Sequence, residues 1–164
     1  MPLKTGFPVG VRHMEGLRIR AAELRDIRRL AELERACFKE PYPAELLAFF
    51  LLSDHHINLV AELNGVIVGF GVAELEHQEG RLVGHVWTLE VLEPYRRRGI
   101  GRRLLSELEE ALRARGATEC YLEVRVDNTP ALALYEKMGY RRAGLLQDYY
   151  GPGEHGFLMR KRLI

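Results

Sequence analysis

The segment with the most chemical content runs Val91-Leu-Glu-Pro-Tyr-Arg-Arg-Arg-Gly-Ile-Gly-Arg-Arg-Leu-Leu105. Gly99 and Gly101 stand at the mouth of a strongly periodic helix, where a backbone without Cβ atoms admits a ligand closely. The first-turn N–H groups of such a helix have no internal acceptor and sit at the positive end of its dipole. The amides of Gly99, Ile100 and Gly101, ringed by Arg96, Arg97, Arg98, Arg102 and Arg103, make a site suited to a pyrophosphate. An arginine-rich loop that merely opens a helix has the same composition. Two nucleotide motifs are excluded on spacing: no G-x-x-x-x-G-K-[ST] string occurs, and Leu104 stands where G-x-G-x-x-G needs its last glycine.

Other residues carry chemistry only in context. In Tyr121-Leu-Glu-Val-Arg-Val126, period-two alternation puts Leu122, Val124 and Val126 on one face and Tyr121, Glu123 and Arg125 on the other. A carboxylate in a central strand needs a partner, so Glu123 is either ion-paired with an arginine or functional. Tyr135 shares a helical stripe with Ala131, Leu134 and Met138, the spacing of a core tyrosine. Asn128 just before that helix suits a cap. His85 is expected to share a strand face with Trp87 and Leu89, as a half-buried histidine does. Tyr42, in Glu40-Pro-Tyr-Pro43, and Tyr149-Tyr150 fit either loop packing or a substrate wall. His55-His56 reads as a solvated loop. Cys37 and Cys120 lie far apart without metal-ligand spacing, as two ordinary buried thiols, and no metal site is expected.

The elements that must position these residues follow from periodicity and punctuation. A strand over Leu17–Arg20 precedes a helix over Glu23–Phe38, ended by Glu40-Pro41-Tyr42-Pro43. A second helix covers Ala44–Leu52. Strands Asn58–Leu63 and Val66–Leu75 flank Asn64-Gly65, a two-residue hairpin signal. A strand over Leu82–Val91 leads to a helix over Gly101–Arg115, whose stripe is Leu104, Leu105, Leu108, Ala111 and Leu112. A strand at Glu119–Val126, a helix near Pro130–Met138 and two terminal strands complete an α/β sandwich on a mixed sheet.

Composition narrows the classes further. The chain has 164 residues, 47% hydrophobic and 29% charged, the usage of one compact domain over residues 16–164. Residues 1–15, with two prolines, two glycines and no periodicity, are expected to form a flexible arm. A formal net charge of +1 argues against a polyanion-coating protein. A nucleic-acid-binding module would have to rely on the Arg96–Arg103 patch, which has no interleaved stacking aromatics. No apolar run approaches the roughly 18 residues of a membrane span, and the N-terminus lacks a signal-peptide centre, so a cytoplasmic protein without membrane or nucleic-acid partners is expected.

Arg96-x-x-Gly99-x-Gly101 resembles the Q/R-x-x-G-x-G/A signature of the GNAT superfamily of N-acetyltransferases, whose loop amides hold the coenzyme A pyrophosphate. Tyr121-Leu-Glu-Val-Arg-Val-Asp-Asn-Thr-Pro-Ala-Leu-Ala-Leu-Tyr-Glu-Lys-Met-Gly-Tyr140 is similar to bacterial ribosomal-protein alanine acetyltransferases and archaeal N-terminal acetyltransferases. Asp148-Tyr-Tyr-Gly-Pro-Gly-Glu154 resembles their terminal hairpin, with His155-Gly156 where Asp-Ala is usual. The resemblance spans about Leu17 to Leu163. It implies a GNAT-like single domain: a central mixed, largely antiparallel sheet of six to seven strands with about four helices.

The resemblance also implies acetyl-CoA as co-substrate and roles for particular residues. Acetyl transfer to an amine requires loss of the amine's proton, stabilisation of an oxyanion and protonation of the leaving thiolate. Glu123 matches the proposed base, Tyr135 the thiolate's proton donor and Asn128 a pantetheine contact. His85, in Gly84-His85-Val86, matches a candidate base of the archaeal enzymes. Leu89 and Val91 would offer main-chain contacts to the acetyl and pantetheine groups, as a strand edge does to a peptide; Glu90, on the opposite face, is given no role. Glu40, Tyr42, Tyr149 and Tyr150 would wall the acceptor. An α-amine with a pKa near 7.8 is easier to deprotonate than a lysine near 10.4, by about 3.5 kcal/mol at neutral pH. A single carboxylate or water-relayed base therefore suits a protein N-terminus, perhaps of a ribosomal protein, with small-molecule amines and lysine as alternatives. Neither cysteine lies in the strand–loop–helix motif, so direct attack in a ternary complex is expected.

Overall fold

Residues 15–164 are described by the computed structural model, so the arm expected over 1–15 falls, apart from Glu15, outside them. Strand β1 (Leu17–Ala21) is followed by a 3-10 turn (Leu24–Asp26), α1 (Ile27–Cys37) and α2 (Ala44–Leu52). Then come β2 (His56–Leu63), β3 (Val66–Gln78) and β4 (Arg81–Val91). After a 3-10 turn (Glu93–Tyr95) come α3 (Ile100–Ala114), β5 (Glu119–Arg125), α4 (Thr129–Lys137), β6 (Arg141–Gly151) and β7 (Glu154–Arg162). The seven strands form one sheet in the order β1-β2-β3-β4-β5-β7-β6. Every pairing is antiparallel except β4 with β5. The α3 crossover supplies the connection that a parallel pair requires.

Local chemistry explains the elements. Asn64 and Gly65 both take positive φ, 50° and 84°, which turns β2 into β3 with the twist a hairpin needs. Helix α3 buries Leu104, Leu105, Leu108 and Leu112 completely. Each such side chain is worth roughly 1.5–3 kcal/mol in burial, so this stripe anchors the helix to the sheet. Leu105, Leu108 and Leu112 share a core with Leu132 and Tyr135 of α4 and with Val86, Leu122 and Met159 of the sheet. On the opposite face α1 and α2 pack Leu30, Leu33, Leu47 and Phe50 against Val60, Phe70 and Val72. The sheet is therefore the middle of three layers.

Two irregularities break the sheet's regular pairing along β4. Val72 pairs with Thr88 but Ala73 with Val86, so Trp87 is an extra residue on β4, a β-bulge. The bulge corrects the expected alternation. His85 and Trp87 face α1 and α2, whereas Leu89 turns to the α3 side, where its Cδ1 lies 3.2 Å from a Cβ built on Gly71. In addition, β4 and β5 pair only from Val83–Glu119 to Val86–Leu122. Beyond that point β5 stays paired with β7 while β4 keeps only β3, and the sheet opens.

Candidate active site

The opening between β4 and β5 leads into a cleft of ≈ 720 Å³. Its walls are the end of β4 (Leu89, Val91), the arginine–glycine loop and the first half of α4, with Cys37 and Phe38 at the end of α1. Arg96, Arg97, Gly99, Ile100, Gly101, Arg102, Asn128 and Tyr135 all line it. Arg98 lies outside that lining, with its guanidinium 5.9 Å from the Tyr95 ring centroid. Arg96 folds back, its Nε donating to the Val91 carbonyl at 2.7 Å.

The two glycines answer different demands. Gly99 precedes α3 at φ 84°, a conformation costly for any residue with a Cβ, and Arg97 is left-handed as well at 64°. That turn aims the first amides of α3 outward. Gly101 has helical geometry, and an added Cβ would meet nothing closer than Leu134 Cδ2 at 3.5 Å. These free amides, the helix dipole and the surrounding arginines fit the pyrophosphate of coenzyme A. At α4, Asn128 Oδ1 accepts the Ala131 amide at 3.3 Å, so its carbonyl caps the helix. Tyr135 is buried on the α3 side, edge-on to Tyr140, and burial pushes its phenol above the ordinary value. It holds its proton at neutral pH.

On the other face of the opening, His85 Nε2 lies 2.8 Å from Glu123 Oε2. The imidazole stacks on Tyr121 at 4.5 Å and 8° between planes. Its Nδ1 lies 3.5 Å from Glu76 Oε1 and has no hydrogen-bond partner among the described residues. Both oxygens of Glu76 accept from the Tyr121 hydroxyl, at 2.7 and 2.9 Å, while Trp87 Nε1 donates to Glu74 at 2.9 Å. Strand register creates this group: His56, Glu74, His85, Tyr121 and Arg160 are successive partners across five strands. Glu74, Glu76 and His85 bring ligand-type atoms within 4.8 Å of one another, a cluster that the sequence spacing did not reveal.

Of the acceptor-wall candidates, Tyr42, Tyr149 and Tyr150 lie near enough to Glu123 to feel its charge. Tyr42 is half-buried, its hydroxyl 3.4 Å from the Trp87 carbonyl, and burial with nearby carboxylates pushes it up to about 12. Tyr149 stands edge-on to Tyr150 at 4.9 Å, and the charge of Glu123 helps raise both phenols. Glu40 is exposed on the α1–α2 loop. Lys39 of that loop reaches Glu154 of the terminal hairpin at 3.5 Å, and Arg125 meets the same carboxylate at 3.2 Å while covering Tyr150. A Cβ built on Gly156 would stand 2.9 Å from Tyr150 Cε2.

Two expectations need correction, and Glu90, given no role, is unusual in its burial. His56 is not in a solvated loop; it opens β2, buried and stacked on Phe50 at 4.9 Å, with Nδ1 2.8 Å from Ser53 Oγ. Cys120 is buried, but Cys37 is only partly so and faces the cleft, Sγ 3.7 Å from the Val91 carbonyl. Glu90 is almost fully buried, and neither of its carboxyl oxygens meets a donor group among the described residues. Burial beside Glu34 pushes its carboxyl up to about 12, so it is neutral. Glu76 escaped sequence reasoning altogether, since only register across two strands brings it to His85.

Residues 27–140 match the Acetyltransferase (GNAT) family, and the chain belongs to that family. An N-alpha-acetyltransferase of Sulfurisphaera tokodaii is 38% identical over 151 residues, covering 87% of this chain and 90% of that protein. The ribosomal-protein-S18-alanine N-acetyltransferase of Escherichia coli superposes with a TM-score of 0.79 at 25% identity, over 90% of this chain and 94% of that one. Naa50 of Arabidopsis thaliana, solved with the bisubstrate analogue CoA-Ac-MVNAL, gives a TM-score of 0.79 at 25% identity over 89% and 98%. The chain is an acetyl-CoA-dependent N-acetyltransferase of this fold.

Proposed function

We propose that the enzyme acetylates the α-amine of protein N-termini by direct attack on acetyl-CoA. The observation that carries the reading is the opening past Val86 and Leu122, with Glu123 and His85 on one face and Tyr135 on the other. An amine approaching from the α1–α2 side meets the carboxylate and imidazole before it meets the thioester. A thiolate leaving toward α4 meets a protonated phenol. Glu123 takes the amine's proton, directly or through water, and Tyr135 gives one to sulfur. Leu89 and Val91 offer backbone groups to the pantetheine arm, and the Gly99–Arg102 amides hold the pyrophosphate.

The acceptor reading rests on the relatives named for N-terminal or alanine acetylation and on the convergence of Tyr42, Tyr149 and Tyr150 near Glu123. Glu40 and Glu123 favour a positive chain end there, and a cytoplasmic site of action accompanies the reading. Acetyl-CoA consumption is to be followed with a panel of unblocked peptides, a panel of polyamines and other small amines, and no acceptor. Turnover confined to peptides is expected. Turnover confined to small amines would overturn the acceptor while leaving the coenzyme chemistry intact.

A further inference from the structure

Two carboxylates on β3 stand side by side without a cation to balance them. Glu74 and Glu76 are two residues apart and share a face of the strand, both partly buried, with His85 directly opposite Glu74 on β4. Among the described residues their only ion-pair partners are histidines. Their hydrogen bonds come from neutral donors: Trp87 Nε1 to Glu74, and the Tyr121 hydroxyl and Gln78 Nε2 to Glu76. Arg160 lies against the Tyr121 ring, but it is already paired with Glu119.

The histidines supply a second, independent observation. The His85 side chain is 8% accessible, and its Nε2 lies 2.8 Å from Glu123 Oε2. A carboxylate only accepts, so Nε2 carries the ring's proton and Nδ1 presents a lone pair. That Nδ1 has no hydrogen-bond partner among the described residues and lies 3.5 Å from Glu76 Oε1. His56 repeats the pattern: its Nδ1 is 2.8 Å from Ser53 Oγ, while its buried Nε2 is unpartnered and 3.7 Å from Glu74 Oε2. Leaving a buried polar atom unsatisfied is costly, and two such nitrogens border the same pair of carboxylates.

We propose that Glu74, Glu76 and His85 Nδ1 bind one divalent cation of the class that takes mixed nitrogen and oxygen ligands, with Zn²⁺ as the type. Ligand atoms of these three residues lie within 4.8 Å of one another. Two ligands about 2.1 Å from a tetrahedral centre stand about 3.4 Å apart, close to the spacing of Nδ1 and Oε1. The bond from Nε2 to Glu123 is the support that a metal-bound imidazole takes from a carboxylate, and Tyr121 and Trp87 orient the other two ligands. His56 Nε2 is a further nitrogen donor beside them. The ion sits one imidazole away from Glu123 and, while bound, holds His85 as a donor to that carboxylate. The site stands whether or not Glu123 takes the amine's proton.

The test is calorimetric titration of the chelator-treated protein with Zn²⁺, and with Mg²⁺ in parallel, for the parent, Glu74→Gln, Glu76→Gln and Tyr121→Phe. Acetyl-CoA affinity within about twofold of the parent reports that each variant is folded, and Glu76→Gln keeps an acceptor for the Tyr121 hydroxyl. The parent should take up one equivalent of Zn²⁺ tightly and melt at a higher temperature when saturated. Loss of either carboxylate should weaken that equivalent by about a hundredfold or more, and Tyr121→Phe, which frees one ligand from its support, by about tenfold. Mg²⁺ should bind far more weakly, because an imidazole ligand suits Zn²⁺ and not Mg²⁺. No saturable Zn²⁺ binding overturns the site. So does binding that both carboxylate variants retain, which places the ion elsewhere, on the exposed His55 or His77 for example. Equal affinity for Mg²⁺ overturns the part assigned to His85.

Discussion

Glu123 and His85 meet at 2.8 Å although 38 residues separate them, because β5 pairs in parallel with β4 only up to Leu122 and Val86. The hydrogen bond crosses the sheet where the strands begin to part, so the proposed base and its partner border the opening. Glu123→Gln keeps the shape and removes the proton acceptor. The rate at pH 7 should fall on the order of 10²-fold, and the deficit should shrink as pH rises past the α-amine's pKa near 7.8. Steady-state kinetics from pH 6 to 9.5 checks this. A constant deficit would assign Glu123 to positioning.

Tyr135 is reached from the other side of the sheet. Its phenol lies above its ordinary pKa through burial, so removing the hydroxyl removes a proton donor rather than a charge. Tyr135→Phe should lower kcat at least tenfold and leave the acetyl-CoA dissociation constant within about twofold. Calorimetry beside turnover measurements separates the two. Equal losses in binding and turnover would make Tyr135 a coenzyme contact only.

The two loop glycines should respond differently. Gly99→Ala forces a Cβ into φ 84° and should cost about 1–2 kcal/mol, with acetyl-CoA binding weakened roughly tenfold as the amides tilt. Gly101→Ala has room for its methyl and should leave melting temperature and affinity nearly unchanged. Thermal melts and titration calorimetry on both variants check the contrast.

Much of the fold and site was legible in the sequence, and the failures have physical causes. Helix α2 runs over Ala44–Leu52 as the prolines and apolar run indicate, and the Asn64-Gly65 turn closes the hairpin it announces. The α3 stripe is a local signal and came through, with Leu104, Leu105, Leu108 and Leu112 all buried. The Trp87 bulge was hidden, because the reading applied strict alternation along β4, which leaves no place for an extra residue. With it went the face of Leu89. His56, Glu76 and Glu90 were misjudged or passed over for a related reason: each takes its character from partners on other strands or on α1.

Glu90 supplies a prediction about stability. Its carboxyl rises from 4.5 to about 12 on folding, so the native protein holds a proton that the unfolded chain releases above pH 4.5. Stability contributed at this position is therefore lost as pH rises from about 4.5 through the neutral range. Glu90→Gln retains the shape without the proton. Its melting temperature should exceed that of the parent at pH 8, with a smaller advantage at pH 5. Differential scanning calorimetry at the two pH values reads this, and a gap that does not change with pH would contradict it.

Whether the acceptor is a chain's α-amine is tested most directly by one peptide carrying both a free N-terminus and an internal lysine, incubated with acetyl-CoA and sequenced by fragmentation mass spectrometry. A single added acetyl group on the first residue is expected. Acetyl on the lysine, with the terminus left free, would contradict α-amine acetylation.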